Sequence, residues 1–462
     1  MRRQTADRTR LSWPGRAWEP GARTPASATP LETIELPWDA RETGHARLVH
    51  GDCLDVATSL AAEGLEGAVD LVYLDPPFAS QAAYVHEARL DGPADGRVIR
   101  AHAYDDRWNA GTGRYLDMLA PRLEALSRLL SASGTIWVHV DWRASYLVRV
   151  LLDEILGSDA FVNEIVWRRA PNLGRQAASH QFGRTLDTIV VYGGPAARLS
   201  PPLRLEPIEP AAIRFDDQGR PFTTAPRGDY TDASIRRLDA EGRIHRTGTG
   251  KAYVKYFLVR NGVGALCRER RVDALWTDVA PLRHARPGER TGFPTQKPRS
   301  LLDRIVACAT PPGGLVVDLF GGSGTTGESA HALGRRFVLG DASPLSLATA
   351  RARLLRAGVP LAVQRVPGVQ AAPPGTAPSA RMKARGRRAI VTLLSPAEPL
   401  AWAIDPRSDI PGLFRTAWHS ERAPGARAHR VELEASVPEV SGPVAVRVWY
   451  DDGSTATTVV GS

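Results

Sequence analysis

Cysteine is scarce. The 462 residues hold three, Cys53, Cys267 and Cys308. They are odd in number and far apart, with no Cys-x-x-Cys pair and no Cys/His cluster, so neither a disulfide framework nor a metal site is expected. A reducing, intracellular compartment fits. Long apolar runs are also missing. None approaches the roughly 20 residues of a membrane span, and the Arg-rich start lacks the apolar core of a signal peptide. No membrane partner is expected, and the expected location is cytoplasmic, at the nucleoid. Acidic residues are in deficit, 50 against 59 Lys and Arg, for a net charge of +9. That favours a polyanionic partner such as nucleic acid, although a genome biased toward arginine and alanine codons gives the same excess. With 43% hydrophobic and 24% charged residues, the chain reads as an ordinary globular protein of two or three domains.

What is present begins with a strand that stops abruptly. Leu71, Val72, Tyr73 and Leu74 form an apolar run, and Asp75-Pro76-Pro77-Phe78 ends it, because proline cannot continue a central ladder. Ligands bind at the carboxyl edge of an open α/β sheet. Asp75 and Phe78 are therefore placed in a stiff loop beside a planar substrate, with an ordinary strand-to-loop exit as the plain alternative. Strand-like runs at 47–50, 135–140, 161–167, 186–192, 315–320 and 336–340 alternate with helical spacing at 53–60, 115–131, 143–156, 301–309, 328–333 and 345–356. This rhythm predicts an α/β sheet with a mostly parallel core.

The chain divides by composition. Residues 1–44, rich in Arg, Pro, Ala and Thr, read as a disordered basic arm. Residues 45–194 and 291–358 carry the α/β pattern. Residues 79–113 and 170–185 read as polar loops, the first long enough to form a wall of the site. Between the two α/β stretches, 195–290 interleaves arginine and lysine with tyrosine, as in a surface that follows phosphates and stacks on bases; a solvated basic insertion is the alternative. Residues 359–388 read as a linker and 389–462 as a small β-rich appendage.

A second motif lies in the later stretch. Gly322-x-Gly324-x-x-Gly327 sits between a strand and a helix, and Asp341 ends the next strand. Formally this is a dinucleotide fingerprint, and the same geometry serves any adenosine-bearing cofactor that needs close backbone and an acidic ribose clamp. A nicotinamide-dependent oxidoreductase stays open at this point. Gly248-Thr249-Gly250-Lys251 lacks the flanking residues of a P-loop and is set aside.

Taken together, Asp75-Pro76-Pro77-Phe78, Asp318-Leu319-Phe320-Gly321-Gly322-Ser323-Gly324-Thr325-Thr326, Thr295-Gln296-Lys297-Pro298, Gly51-Asp52-Cys53 and Ala274–Val279 occur in an order that resembles the permuted, β-class DNA amino-methyltransferases, which methylate adenine N6 or cytosine N4. The resemblance spans roughly residues 45–358. It implies a circularly permuted, Rossmann-like S-adenosylmethionine-dependent methyltransferase fold, with 195–290 as target-recognition region. It implies S-adenosyl-L-methionine as cofactor and double-stranded DNA as substrate; a second copy of the chain and a restriction endonuclease of the same system stay open as partners. Asp75, Pro76, Pro77 and Phe78 would be catalytic, Phe78 stacking on a flipped-out base. Phe320, Gly321, Gly322, Gly324 and Thr325 would approach the cofactor, with Asp318 on its ammonium, Lys297 on its carboxylate and Asp341 on its ribose. Asp52 and Thr295 are weaker candidates that could equally cap a local turn. An Asp at the first catalytic position goes mostly with adenine in this family. Leu319, Gly321 and Phe78 depart from its commoner Pro, non-glycine and Tyr. Cytosine N4, RNA, or a catalytically silent DNA-binding role remain as alternatives.

Overall fold

The computed structural model describes residues 10–21, 29–40, 44–78, 83–90, 97–105, 111–172, 180, 182–286, 288–369, 374–385, 388–396, 399–406, 412–422, 431–438, 440 and 442–461, with backbone only for 83–90, 97–105, 385 and 438. They form two compact units, Met1–Ser200 with Ala274–Ser462, and Pro201–Asp273.

The first unit opens with β1 (Glu32–Pro37), β2 (Ala46–His50), α1 (Cys53–Leu60), β3 (Val69–Leu74), β4 (Ala83–Leu90), β5 (Arg97–Asp105), α2 (Thr112–Leu129), β6 (Leu130–Val140), α3 (Ser145–Leu156), β7 (Phe161–Arg168) and β8 (Leu186–Gly193). The second unit holds β9 (Leu203–Pro207), β10 (Arg214–Phe215), β11 (Pro221–Pro226), α4 (Asp232–Ala240), β12 (Ile244–Arg246), β13 (Ala252–Arg260) and β14 (Leu266–Arg271). The chain then returns with β15 (Leu275–Trp276), α5 (Arg299–Ala309), β16 (Leu315–Asp318), α6 (Thr325–Ala332), β17 (Arg336–Asp341), α7 (Pro344–Arg356) and β18 (Ala362–Arg365). It ends in β19 (Ser379–Arg385), β20 (Arg388–Ser395), β21 (Ala401–Asp405), β22 (Phe414–Thr416), β23 (Trp418–Glu421), β24 (Glu434–Pro438), β25 (Val444–Trp449) and β26 (Thr455–Val460).

One sheet of the first unit decides where function sits. Its order is β15-β7-β8-β6-β3-β16-β17-β2-β18-β1-β22. The run β6-β3-β16-β17-β2-β18 is parallel, and β8 lies antiparallel to both β6 and β7. Helices cover such strands, so they read as near-continuous apolar runs: β3 and β16 are almost wholly buried, and α2 lays Leu116, Leu119, Leu123, Leu126 and Leu129 over β3 and β6. The central neighbours β3 and β16 come from opposite halves of the chain; Leu315 N donates to Asp70 Oδ2 across 245 residues. Because the strands are parallel, Asp75 after β3, Asp318 at the end of β16, Asp341 at the end of β17 and Asp52 after β2 all emerge at one edge.

Four expectations need correction. The described parts of residues 1–44 are packed rather than disordered. Trp18 is buried, its indole N–H donates to Glu124 at 2.8 Å, and Trp13 donates to Asp117 at 3.0 Å. Arg16 bridges both rings and pairs with Glu154 at 2.7 Å, and β1 joins the main sheet. A disorder-like composition hid two tryptophans, each with a large apolar area to bury and a donor to satisfy. The expected 359–388 linker contributes β18 and β19. Residues 79–113 contain the antiparallel pair β4–β5 and the start of α2 rather than one irregular loop. Residues 195–290, read as a basic contact region or solvated insertion with no elements assigned, contain the second unit, whose β10-β11-β13-β14-β9 sheet, with β12 beside β13, has the alternation that short, charged strands conceal. The C-terminal appendage is β-rich, with sheets β19-β20-β24 and β23-β21-β25-β26.

Within the second unit many of the arginines read as phosphate-facing are held internally. Arg220 pairs with Asp216 at 2.8 Å, Arg246 with Asp239 at 2.5 Å and Arg227 with Asp232 at 2.5 Å. Arg268 lies 3.5 Å over the Tyr256 ring and Arg220 4.3 Å over Phe257.

Candidate active site

The chain leaves β3 at Asp75, and Pro76 directs it away from the ladder. Lys297, from the loop before α5, places Nζ on Asp75 Oδ2. The other oxygen, Oδ1, is buried and has no hydrogen-bond partner among the described residues. Desolvating an unpaired polar atom costs about 1–3 kcal/mol, so such atoms are few in folded proteins and mark places a ligand completes. Lys297 thus fixes the rotation of the carboxylate and leaves one oxygen over.

Phe78 is seated on a buried polar chain. Its ring stacks on His139 at 6.0 Å between centroids and 23° between planes, and the Lys297 ammonium lies 5.2 Å from its centroid. His139 is fully buried on β6. Its Nδ1 meets the Tyr73 hydroxyl at 3.0 Å and its Nε2 meets Asp187 Oδ2 at 3.2 Å. Arg169 donates to the other Asp187 oxygen at 2.7 Å. Burial alone would raise the Asp187 carboxyl, but the hydrogen bond and charge of His139, with Lys297 and Arg169, hold it below the usual carboxylate range. The Tyr73 hydroxyl goes the other way, well above its ordinary value, through burial and then the Asp75 charge.

Facing this arrangement is the β16–α6 loop. Gly322 takes φ 48° and Gly324 φ 79°, the left-handed region that suits glycine. Asp318, 2% exposed, accepts from Phe320 N at 3.0 Å and from the Thr326 hydroxyl at 2.6 Å. Burial pushes its carboxyl up to about 7, the two hydrogen bonds oppose this, and the charges of Asp75 and Asp341 add to it. Asp341 accepts from Gly322 N at 2.9 Å and Ser343 N at 2.8 Å, tying the loop to the end of β17; burial raises its carboxyl too. Asp75, Lys297, Asp318 and Asp341 line one cavity of about 470 Å³, within the range of small-molecule sites.

A family model described as DNA methylase, for N6 and N4 methyltransferases, matches residues 69–350, more than half of the chain. The chain belongs to this DNA methylase family. The Type II methyltransferase M.EcaI of Enterobacter cloacae is 26% identical over 318 residues, covering 63% of this chain and 66% of that protein. The Mod subunit of the Type III restriction-modification enzyme StyLTI of Salmonella typhimurium is 25% identical over 340 residues, covering 63% of this chain and 50% of that protein. The chain thus spans less than two thirds of the length of both curated relatives. Among solved structures, the M1.HpyAVI–SAM complex aligns at 16% identity and TM-score 0.37, over 67% of this chain and 98% of that one. The PvuII cytosine-N4-specific DNA methyltransferase aligns at 14% identity and TM-score 0.36, over 69% and 88%.

In this chain the candidate residues fall into three groups. Asp75, Pro77, Asp52, Thr295, Lys297, Asp318, Phe320, Gly321, Gly322, Thr325 and Asp341 line the cavity. Pro76 is buried beside it and Phe78 adjoins it through Lys297. Gly324 stands apart: it caps α6, and a Cβ there would meet Ala350 Cα and Cβ at 3.0 Å, so it serves helix packing. Asp52 caps α1 through Leu54 N at 2.9 Å and pairs with Arg122 at 2.5 Å. Thr295 holds φ 61°, which is costly for a β-branched residue, with its hydroxyl on Pro294 O at 2.6 Å. Lys297, read as a partner of the cofactor carboxylate, is engaged by Asp75 in this structure. Asp141 holds the turn after β6, accepting from Arg143 N at 2.8 Å, and Trp276 is core. Sequence reading missed Tyr73, Phe293 and the Ser343–Ser346 turn as cavity walls, and Asp187 as the partner of His139. Phe293 carried one signal, its place just before Thr295-Gln296. Gln296 is buried and folds that loop, accepting from Thr291 N and donating to Glu289 O, each at 2.8 Å.

Proposed function

We propose that this chain transfers a methyl group from S-adenosyl-L-methionine to the exocyclic N6 amine of a flipped-out adenine in double-stranded DNA. Cytosine N4 is the second reading. The observation that carries the proposal is the unpartnered, buried Oδ1 of Asp75 in the same cavity wall as Asp318 and Asp341.

The residues present fit the cofactor. Asp318 is a buried carboxylate that meets no cation among the described residues, which suits an ammonium group. Asp341 ends β17 in the cavity wall, where its carboxylate, already accepting from backbone N–H groups, can share an oxygen with ribose hydroxyls. Gly321 and Gly322 let backbone approach closely. When bound, the cofactor supplies a methyl group already activated on a sulfonium. The acceptor is then the difficulty, because the lone pair of an exocyclic amine is drawn into the ring. Asp75 Oδ1 accepts one amine N–H and the Pro76 carbonyl the other. This localises the lone pair and aims it, a contribution of orientation and electrostatics with proton loss late. Lys297 holds Oδ2 and keeps the acceptor geometry. Phe78, backed by His139, stacks on the base, and such stacking returns roughly 1–3 kcal/mol against the cost of unstacking. Asp at position 75, rather than Ser, favours adenine.

Labelled methyl transfer to unmethylated plasmid DNA, followed by digestion to nucleosides, tests the proposal. N6-methyladenine is expected, with transfer by Asp75→Ala lower by about 100-fold or more and cofactor binding retained. N4-methylcytosine would move the reading to its second form. Undiminished transfer by Asp75→Ala would remove both.

A further inference from the structure

Beside the site lies a surface that the reaction does not use. Trp142, in the turn between β6 and α3, is 46% exposed, Tyr146 in the first turn of α3 is 62% exposed, and Phe182 before β8 is fully exposed. Single exposed apolar side chains are ordinary. These three share one edge. Val140 of β6 pairs with Thr188 of β8, so the residues after β6 and those before β8 stand opposite one another, at the edge where Asp75 leaves β3. The patch is close to the chemistry: Trp142 follows by three residues the His139 ring on which Phe78 stacks, a span of about 10 Å in extended chain.

The patch is also basic. Arg184 lies 4.1 Å over the Trp142 ring and Arg143 4.9 Å. Arg168, at the same edge, is exposed and forms no ion pair among the described residues. The neighbouring carboxylates are both buried and committed, Asp141 to Arg143 and Asp187 to His139 and Arg169. An exposed indole beside two guanidinium groups, with two further exposed rings and Arg168 at the same edge, matches stacked bases flanked by phosphates.

We propose that Trp142 and Phe182, with Arg143, Arg168 and Arg184, form the contact for the DNA strand next to the flipped base, Trp142 stacking on a base face laid open when the target leaves the helix. This rests on the methyl-transfer reading above. It assigns a DNA contact to the 142–146 and 182–184 edge rather than to 195–290 alone.

The test uses the full chain, with Trp142→Ala, Trp142→Phe and Phe182→Ala. Filter retention of end-labelled, unmethylated plasmid fragments is measured together with the KM values for plasmid DNA and for S-adenosyl-L-methionine. Trp142→Ala is expected to weaken retention and raise KM for DNA about tenfold, with KM for the cofactor unchanged. Trp142→Phe should restore DNA binding to within about twofold, since a stacking face remains. Phe182→Ala, which removes a fully exposed ring and cannot unfold the chain by cavity formation, should move the same two quantities in the same direction. Wild-type retention and KM for DNA in both alanine variants would overturn the proposal. So would alanine variants that turn a dimer into a monomer in sedimentation with DNA binding intact, because the patch would then be a self-contact. A wild-type protein that retains DNA but methylates nothing would end the methyl-transfer reading, and the retention difference would still decide this one.

Discussion

Asp318→Asn isolates the electrostatic cost of the cofactor site. Asp318 is almost fully buried, and burial moves its carboxyl from 3.8 in the unfolded chain to about 7. Between those values the folded state binds more protons than the unfolded state, so stability falls as pH rises from 4 toward 7 and levels off above. A displacement of about three units at roughly 1.36 kcal/mol each is about 4 kcal/mol held against the ionised, cofactor-free fold. Asparagine keeps the shape: its carbonyl can accept from Phe320 N, its amide can donate to Thr326 Oγ1, and it carries no charge. The assay is thermal unfolding of wild type and variant from about pH 5 to about pH 8.5. Wild type is expected to lose stability across that interval relative to Asp318→Asn, so the variant is the more stable at the alkaline end. Added S-adenosyl-L-methionine, whose ammonium would neutralise the carboxylate, should raise the wild-type midpoint there and leave the variant's almost unmoved. Parallel curves for the two proteins across the whole interval would refute the reasoning.

Two further outcomes follow from packing. Gly324→Ala forces a Cβ to 3.0 Å from both Ala350 Cα and Cβ at a φ of 79°; overpacking of about 1–3 kcal/mol plus about 1–2 kcal/mol for the left-handed backbone should appear as a lower denaturant midpoint. Glu35→Gln removes the charge that meets buried Arg351 through two hydrogen bonds of 2.8 and 2.6 Å, and breaking such a pair from one side costs about 3–5 kcal/mol in urea unfolding. Burial would raise the Glu35 carboxyl, but Arg351 overrides it and holds it below 4.5. Wild-type stability should therefore drop as pH falls through that lowered value, a drop that the variant lacks.

Much of the α/β frame was legible because parallel strands buried on both faces must be apolar throughout, and Leu71–Leu74 and Leu315–Val317 show it. The spacing of leucines in α2 was equally direct. The packed N-terminal stretch was not legible. What orders it is a small number of long-range contacts, Trp13 to Asp117 and Trp18 to Glu124, and local composition carries no trace of a partner about a hundred residues away. The 201–273 unit hid for a different reason. Its short strands expose one face, and many of its arginines pair with carboxylates of the same unit, so a count of basic residues overstates the charge left for phosphate.

The site divides along the same line. Strand ends and glycine turns announce themselves, which is why Asp75, Asp341 and Gly322 could be placed from type and spacing, whereas Asp318 came only through the family resemblance. Contacts between those positions could not. Lys297 reads, in its Gln-Lys-Pro setting, as a group for the cofactor, yet it closes an ion pair with Asp75 across 222 residues and lies beside the Phe78 ring. That contact changes the meaning of the Asp-Pro-Pro-Phe motif. The carboxylate is held from one side by a cation from the later α/β stretch, so the direction of Oδ1 is set only when both halves of the chain are assembled. A carboxylate held this way cannot be oriented by the β3 loop alone, and a separate fragment of residues 45–194 would retain Asp75 without the contact that gives Oδ1 its direction.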